Sequence, residues 1–151
     1  MVADDLRRVS TLLGPLLPDV ELHHIGATAI PGALTKGDLD VLLRVENSKF
    51  SSVLDILREN FAIKQPQNWS PYFASFGSDT GYSLPLGVQL VVKDSETDFL
   101  LFIRDYLLAH PEIVAELNRV KRAYADKGPE EYWSAKDRIL APIVALNLKR
   151  G

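Results

Sequence analysis

Residues 24–45 read HIGATAIPGALTKGDLDVLLRV, and this stretch decides the fold and the candidate site. An apolar segment ends in a turn at Gly26, and two aspartates, Asp38 and Asp40, follow with one leucine between them. Residues 38–45 are rich in branched apolar side chains, which is typical of a buried strand. Because side chains i and i+2 of a strand share one face, Asp38 and Asp40 are expected to project together, with Cα atoms about 6.5–7 Å apart.

A carboxylate pair at this spacing predicts a cation site. Two such groups repel each other unless a cation or a proton lies between them. Mg²⁺ suits them, since it binds a few carboxylates together with substrate phosphates. Upstream, Gly26 permits close approach of the backbone to a phosphate, Thr28 offers a hydroxyl group and Lys36 is a nearby cation. The plain alternative is that Asp38 and Asp40 only mark the start of a strand and are solvated, which a bare Asp-x-Asp motif favours.

Composition limits the class of protein. The chain has 151 residues, 46% of them hydrophobic, which is enough for one domain with an ordinary core. Its 17 basic and 20 acidic residues give a net charge of −3, so charge alone gives no reason to expect a nucleic acid or a membrane surface as partner. There is no cysteine, no signal peptide pattern and no apolar run of membrane-spanning length. We therefore expect a cytoplasmic protein.

Hydrophobic periodicity predicts the order of the elements. Helices are expected over residues 4–17 and 48–60, and strands over 20–25, 38–45, 61–64, 72–76 and 88–93. Residues 77–87, GSDTGYSLPLG, are dense in turn formers and are expected to form an exposed turn. A sequence like a capping box at 95–98 should open a helix, the next helix covers 111–127, and the last begins at Pro129 and is kinked or interrupted near Pro142. A mixed sheet followed by a helical C-terminal third is α+β.

The order of these motifs resembles that of a known family. In the nucleotidyltransferase superfamily, a glycine followed by Gly or Ser precedes an apolar-flanked carboxylate pair, with a gap like that between Gly26-Ala27 and Asp38 here. The start HIGATAIPG is more closely similar to the HIGSTA-(V/I)-PG start of the GrpB family. The resemblance continues in order through GVQLVV, FLLFIRDYLLAHPE, LNRVKRAY and YWSAK, and covers roughly residues 20–140.

The resemblance implies a fold, an activity and a site. The fold would be polymerase-β-like, with a small twisted mixed β-sheet flanked by helices, and residues 1–151 would form a single GrpB-like nucleotidyltransferase domain. Gly26, Ala27 and Thr28 would line the phosphate site, and Asp38 and Asp40 would be the catalytic Mg²⁺ ligands. The implied activity is Mg²⁺-dependent transfer of a nucleotidyl group from a nucleoside triphosphate to an unidentified acceptor. Such chemistry needs mainly positioning and charge neutralisation.

Two departures from the family pattern favour a different function. Ala27 stands where a serine is expected, so one hydroxyl partner for a phosphate is missing. The strand that should present a third carboxylate reads VQLVV, with Gln89 at the matching position; its amide can ligate Mg²⁺ but cannot act as a general base. The alternative is a catalytically inactive or regulatory domain on the same fold, which binds a nucleotide or another small phosphorylated ligand. A plainer alternative is a structural or interaction domain with solvated aspartates.

Further candidate ligands of a phosphorylated group lie in the C-terminal third. Arg104, in an otherwise apolar helix, either pairs with an acid such as Asp105 or contacts a phosphate. Lys121 is a candidate by resemblance. Tyr132 and Lys136 are four residues apart on one helical face, and they either pack on each other or both face the cleft. The three histidines lack the spacing of a zinc site.

Overall fold

The structure, a computed structural model, describes residues 2–78 and 81–150. Within them, five strands form one sheet: β1 (Glu21–Ile25), β2 (Leu39–Val45), β3 (Ala62–Ile63), β4 (Phe73–Ser78) and β5 (Leu86–Val92). The helices are α1 (Val2–Leu16), α2 (Phe50–Asn60), α3 (Leu100–Ala109), α4 (Pro111–Ala123) and α5 (Pro129–Arg150). In the described part of the chain, no helix is long and apolar enough to cross a membrane.

The sheet is mixed, in the order β1-β2-β5-β4-β3. β2 pairs with β5 in parallel, and the other neighbouring strands are antiparallel. The predicted α+β class, with a mixed sheet and a helical C-terminal third, is confirmed. The central pair sets the position of the candidate site, because its parallel register places Asp40 of β2 opposite Gly87 of β5.

The two faces of the sheet are packed very differently. Alternate residues of β2, from Leu39 to Val45, face a large core that also contains Val9 and Leu13 of α1 and Leu57 of α2. The opposite face has a small cluster of three buried residues, Ile25, Leu42 and Val91, against which Phe73, Leu100 and Leu101 pack. Since Asp40 lies two residues from Leu42, its side chain points to this sparsely filled face.

Three predictions about secondary structure are wrong. The predicted turn at 77–87 is shorter: its first two residues belong to β4 and its last two to β5, and residues 79 and 80 lie outside the described residues. Pairing with strands on both sides overrides the turn propensity of Gly87. The capping box does not form, because α3 begins only at Leu100 and the Asp98 carboxylate accepts hydrogen bonds from Arg44 instead. The third is the predicted interruption near Pro142, because α5 is continuous through this residue and packs against α3 and α4.

Candidate functional site

The carboxylate of Asp40 fits between two glycines. On the neighbouring strands, Asp40 lies opposite Ile25 of β1 and Gly87 of β5. A β-carbon at Gly87 would lie 2.5 Å from Oδ1 of Asp40, and one at Gly26 would lie 2.7 Å from Oδ2. Gly26 also has a φ of +76°, a conformation that other residues rarely adopt. These two glycines therefore create the space that the carboxylate fills.

The Asp40 carboxylate has no partner within residues 2–78 and 81–150: it accepts no hydrogen bond and forms no salt bridge there. Partial burial raises its pKa, and the negative charge of Asp38 raises it further, while Lys136 acts in the opposite direction. A partly buried carboxylate without a partner, next to a like charge, is a group that a bound cation would stabilise.

A cavity of about 410 Å³ opens beside Asp40, between the sparsely filled face of the sheet and α3, α4 and α5. The sheet and the turn after β1 contribute Ile25, Gly26, Ala27, Ile30, Ala33, Asp40, Phe73 and Gln89. The segment before α3 and the three helices contribute Phe99, Leu100, Ile103, Arg104, Leu107, Val114, Leu117, Lys121, Lys136 and Leu140. The structure thus brings together seven of the residues predicted from the sequence: Gly26, Ala27, Asp40, Gln89, Arg104, Lys121 and Lys136.

Arg104 of α3 forms the predicted ion pair and also lines the cavity. Its Nη2 lies 2.8 Å from Oδ1 of Asp105, so the ion pair is present. Its Nη1 also donates to the backbone carbonyl of His24, 3.2 Å away, and the side chain lines the cavity. Arg104 therefore joins α3 to the end of β1 while leaving a positive charge at the cavity wall.

Lys121 and Lys136 place two more positive charges at the cavity. Lys121 donates from Nζ to the carbonyl of Leu34, and burial together with the charge of Lys136 lowers its pKa. Lys136 lies on α5, where its charge also acts on Asp40. Its Nζ is 6.0 Å from the ring centre of Tyr132. The two side chains are therefore neighbours, but only Lys136 lines the cavity, and burial raises the pKa of Tyr132.

Asn118 of α4 holds the loop that leads to the aspartates. Its Nδ2 donates to the carbonyl of Gly32 and its Oδ1 accepts from the N–H of Leu34, both at 2.8 Å. Asn118 is buried, with 8% of its surface exposed. Together with Lys121, it fixes residues 32–34 against α4.

Four predicted site residues, Thr28, Lys36, Asp38 and Tyr132, lie outside the lining of the cavity. The prediction that Asp38 belongs to the strand is wrong: it is exposed and precedes β2, because pairing starts where the N–H of Leu39 donates to the carbonyl of Pro85. Thr28 is instead engaged by His24, whose Nε2 lies 2.9 Å from the threonine Oγ1. Lys36 is exposed.

The oxygen atoms near Asp40 fit a Mg²⁺ ion only if phosphate oxygens of a bound substrate complete the coordination of the metal. No group of three or more His, Cys, Asp or Glu side chains in the described residues could hold a metal ion. Mg²⁺ is, however, commonly bound through one or two carboxylates plus substrate phosphates, and it keeps several waters. Asp40 with Asp38 supplies that number of carboxylates, and Gln89 lines the same cavity.

Two residues that shape the site were missed in the sequence. Gly87 looked like the end of a turn, although a glycine two positions before Gln89 in a strand pattern is a signal of close approach by another group. Asn118 carried no signal, because its partners Gly32 and Leu34 are distant in the sequence.

A family model described as GrpB protein matches residues 2–145. The chain belongs to the GrpB family. Its relatives include a UPF0157 protein of Vibrio cholerae, which is 29% identical over 139 residues, covering 91% of this chain and 73% of that protein. A UPF0157 protein of Pseudomonas aeruginosa is 27% identical over 135 residues. The match covers 85% of this GrpB chain and 55% of the Pseudomonas protein.

Solved structures identify the fold of this GrpB chain. The conserved protein GrpB from Enterococcus faecalis superposes with a TM-score of 0.73 at 21% identity, over 99% of this chain and 93% of that one. The Cid1 poly(U) polymerase, in a structure with MgGTP bound, superposes with a TM-score of 0.53 at 15% identity, over 78% of this chain and 38% of that one. The predicted polymerase-β-like nucleotidyltransferase fold is confirmed.

Proposed function

We propose that this GrpB chain is a Mg²⁺-dependent nucleotidyltransferase, which binds a nucleoside triphosphate at Asp40 and transfers its nucleotidyl group to an acceptor. The observation that carries the proposal is the unpartnered Asp40 carboxylate, held between Gly26 and Gly87 at the edge of a cavity lined by three cationic side chains. We further propose that residues 1–151 act as one such domain in the cytoplasm; the match of one family model to residues 2–145 supports the single domain.

Each predicted residue has a role in this proposal. Asp38 and Asp40 would hold Mg²⁺, which when bound supplies positive charge to the phosphates. Positive charge on the other side of the phosphates would come from Arg104, Lys121 and Lys136. The remaining contacts would come from residues around the cavity: the turn Gly26, Ala27 and Thr28 near the phosphates, Lys36 at the exposed loop, Gln89 on the floor, and Tyr132 beside Lys136.

The residue at position 89 limits the chemistry. An amide cannot act as a general base, and Asp38 lies outside the cavity. Among the described residues, the lining therefore has no second carboxylate that could remove a proton from an acceptor. Transfer to a hydroxyl group should therefore be slow. The same observation favours a second candidate function, a catalytically inactive domain that binds a nucleotide or another small phosphorylated ligand.

Titration calorimetry with ATP, GTP, CTP and UTP in the presence of Mg²⁺ tests the binding shared by both candidates. We expect at least one nucleotide to bind, and the Asp40→Asn variant to lose at least tenfold in affinity. Asp137→Asn, which removes an exposed carboxylate from α5, is the matched control and should bind normally. If no nucleotide binds, or if Asp40→Asn binds as well as the parent chain, the transferase is wrong, and so is an inactive domain that binds a nucleotide at Asp40.

Release of pyrophosphate separates the two candidates. Turnover by the unmodified chain with any acceptor supports the transferase. Binding without turnover supports the inactive domain, and Gln89→Asp then tests whether the missing carboxylate is the cause. New turnover in that variant would identify position 89 as the block.

A further inference from the structure

The cavity has apolar walls that the proposed nucleotide site does not explain. α3 has the sequence LLFIRDYLLA, yet none of its residues is buried. A helix this apolar normally turns its apolar stripe towards the core. Here Leu100, Ile103 and Leu107, at positions i, i+3 and i+7, all line the cavity. The stripe of α3 is therefore only half-buried and forms one wall of the cavity.

The opposite walls of the cavity are apolar as well. Ile25 and Phe73 come from the sheet, and Val114, Leu117 and Leu140 come from α4 and α5. Apolar surface left in water costs about 25 cal/mol per Å² relative to burial. Ile25, Val114 and Leu117 are already buried, but Phe73, Leu140 and the stripe of α3 are only half-buried. A ligand that covers these half-buried side chains with an apolar group would gain this free energy.

The charged side chains that line the cavity indicate the polar part of the ligand. Arg104, Lys121 and Lys136 line it, and Asp40 is the one acidic side chain among its lining residues within the described chain. The charge of Arg104 is paired with Asp105, so Lys121 and Lys136 against Asp40 leave an excess of positive charge, and the lining favours an anionic group. A volume of about 410 Å³ falls in the range of small-molecule sites.

We propose that this cavity binds the acceptor, and that the acceptor is a small phosphomonoester with an apolar body. Its phosphate would lie beside the α-phosphate of the nucleotide, where Lys121 and Lys136 would contact both groups. Its body would pack against Ile103, Leu107 and Leu117. This deepens the proposed function and rests on it for the nucleotide at Asp40.

The choice of a phosphate acceptor also accounts for Gln89. A phosphate oxygen attacks the α-phosphorus of the nucleoside triphosphate, a new P–O–P linkage forms, and the bond to the β-phosphate breaks to release pyrophosphate. A phosphomonoester is largely dianionic at neutral pH, since its second pKa is about 6. No proton has to be removed from the attacking oxygen, so an amide at position 89 is compatible with turnover.

Binding of n-butyl and n-hexyl phosphate, compared with inorganic phosphate by calorimetry, tests the apolar part. Each added methylene contributes about 0.8 kcal/mol when buried, so affinity should rise about fourfold per methylene. Leu107→Ser should abolish most of this gain, whereas Leu108→Ser, the same change at an exposed neighbour on α3, should preserve it. Equal affinity for the two alkyl phosphates in the unmodified chain overturns the inference, whether or not the variants fold.

Pyrophosphate release with n-hexyl phosphate and with 1-hexanol tests the acceptor group. We expect release with the phosphate and at least tenfold less with the alcohol, because the alcohol must lose a proton. A preference for the alcohol overturns the inference. If nucleotide binding depends on Asp40 but affinity does not increase with alkyl chain length, the inference about the acceptor is wrong and the proposed function stands. Absence of nucleotide binding overturns the proposed function, and with it the assignment of this ligand as an acceptor.

Discussion

The carboxylate of Asp40 lies against the position that a β-carbon of residue 87 would occupy, because the residue facing it on the parallel strand is Gly87. An added methyl group would come within 2.5 Å of Oδ1, a distance that forces the carboxylate to move. The position of Asp40 in the site thus depends on the absence of a side chain on the next strand.

Gly87→Ala should therefore impair the site more than the fold. The backbone at residue 87 has no positive φ, so alanine is tolerated in the strand while the Asp40 carboxylate is displaced. We expect affinity for nucleotide with Mg²⁺ to fall at least tenfold in calorimetry. Gly14→Ala is the matched control: a β-carbon there meets nothing within 4 Å, and helix propensity should stabilise α1 by up to about 1 kcal/mol. If Gly87→Ala binds nucleotide with unchanged affinity, the position of Asp40 does not depend on a glycine at residue 87.

Asp40→Asn should stabilise the protein without ligand at neutral pH. Because its pKa is raised in the folded chain, the charged form is disfavoured there, and the cost is complete above the folded pKa and absent below the unfolded value of 3.8. We expect the Tm of the variant at pH 7 to lie above that of the parent chain. The difference should vanish on acidification. A lower Tm at pH 7 would show that the charge is compensated in the folded chain.

Asn118→Ala should loosen the loop that leads to the aspartates. It removes two hydrogen bonds of 2.8 Å and leaves the Gly32 carbonyl and the Leu34 N–H without that partner, at a cost of about 1–3 kcal/mol. Denaturant unfolding measures the loss of stability, and nucleotide affinity should fall with it. Asn147→Ala removes one bond of 3.2 Å to Asp98 and should cost less. Equal costs in the two variants would rule out a special role for Asn118.

Glu21→Gln should weaken the fold in a defined pH window. Lys93 and His23, followed by Arg44, hold the pKa of Glu21 at about 2 instead of 4.5. The ionised carboxylate therefore stabilises the fold above pH 4.5, and this contribution is lost as the pH falls towards 2. Since 38% of its side chain is exposed, we expect no more than about 1 kcal/mol.

Thermal denaturation from pH 2 to pH 7 measures the contribution of Glu21. The glutamine variant should be less stable at neutral pH and should show a shallower decline of Tm in acid. Glu46→Gln is the control, because Glu46 lies 3.6 Å from the same lysine, Lys93, but is far more exposed. If both variants have the same acid profile as the parent chain, the network around Glu21 contributes nothing to stability.

Much of the fold could be predicted from local patterns. The buried strand at 38–45 and the strand at 88–93 have long apolar runs, and both lie within one residue or two of β2 and β5. The parallel pairing of these two strands could not be predicted, because it depends on the packing of the whole sheet. For the same reason the sequence predicts a turn at Gly87, which lies two residues after Pro85 in a segment rich in turn formers.

The charged residues of the site could be predicted from their residue type. Positions that depend on how the strands pair could not. Asp40, Arg104, Lys121 and Lys136 stand out as charges in apolar or motif-bearing segments, and the structure gathers them around one cavity. Asp38 has the same charge but stays outside, because the strand pairs only from the next residue onwards.

The two packed faces of the sheet imply an order of assembly. Every residue of the large core lies between Val2 and Val92, whereas the far wall of the cavity is supplied by residues 99–140. During synthesis, all residues of the large core therefore leave the ribosome before the residues that complete the cavity, so the core can fold before the binding site forms. Local opening of the helical third would likewise abolish binding while the sheet stays folded, so a ligand would protect amide hydrogens in α3, α4 and α5 from exchange much more than those in α1 and α2.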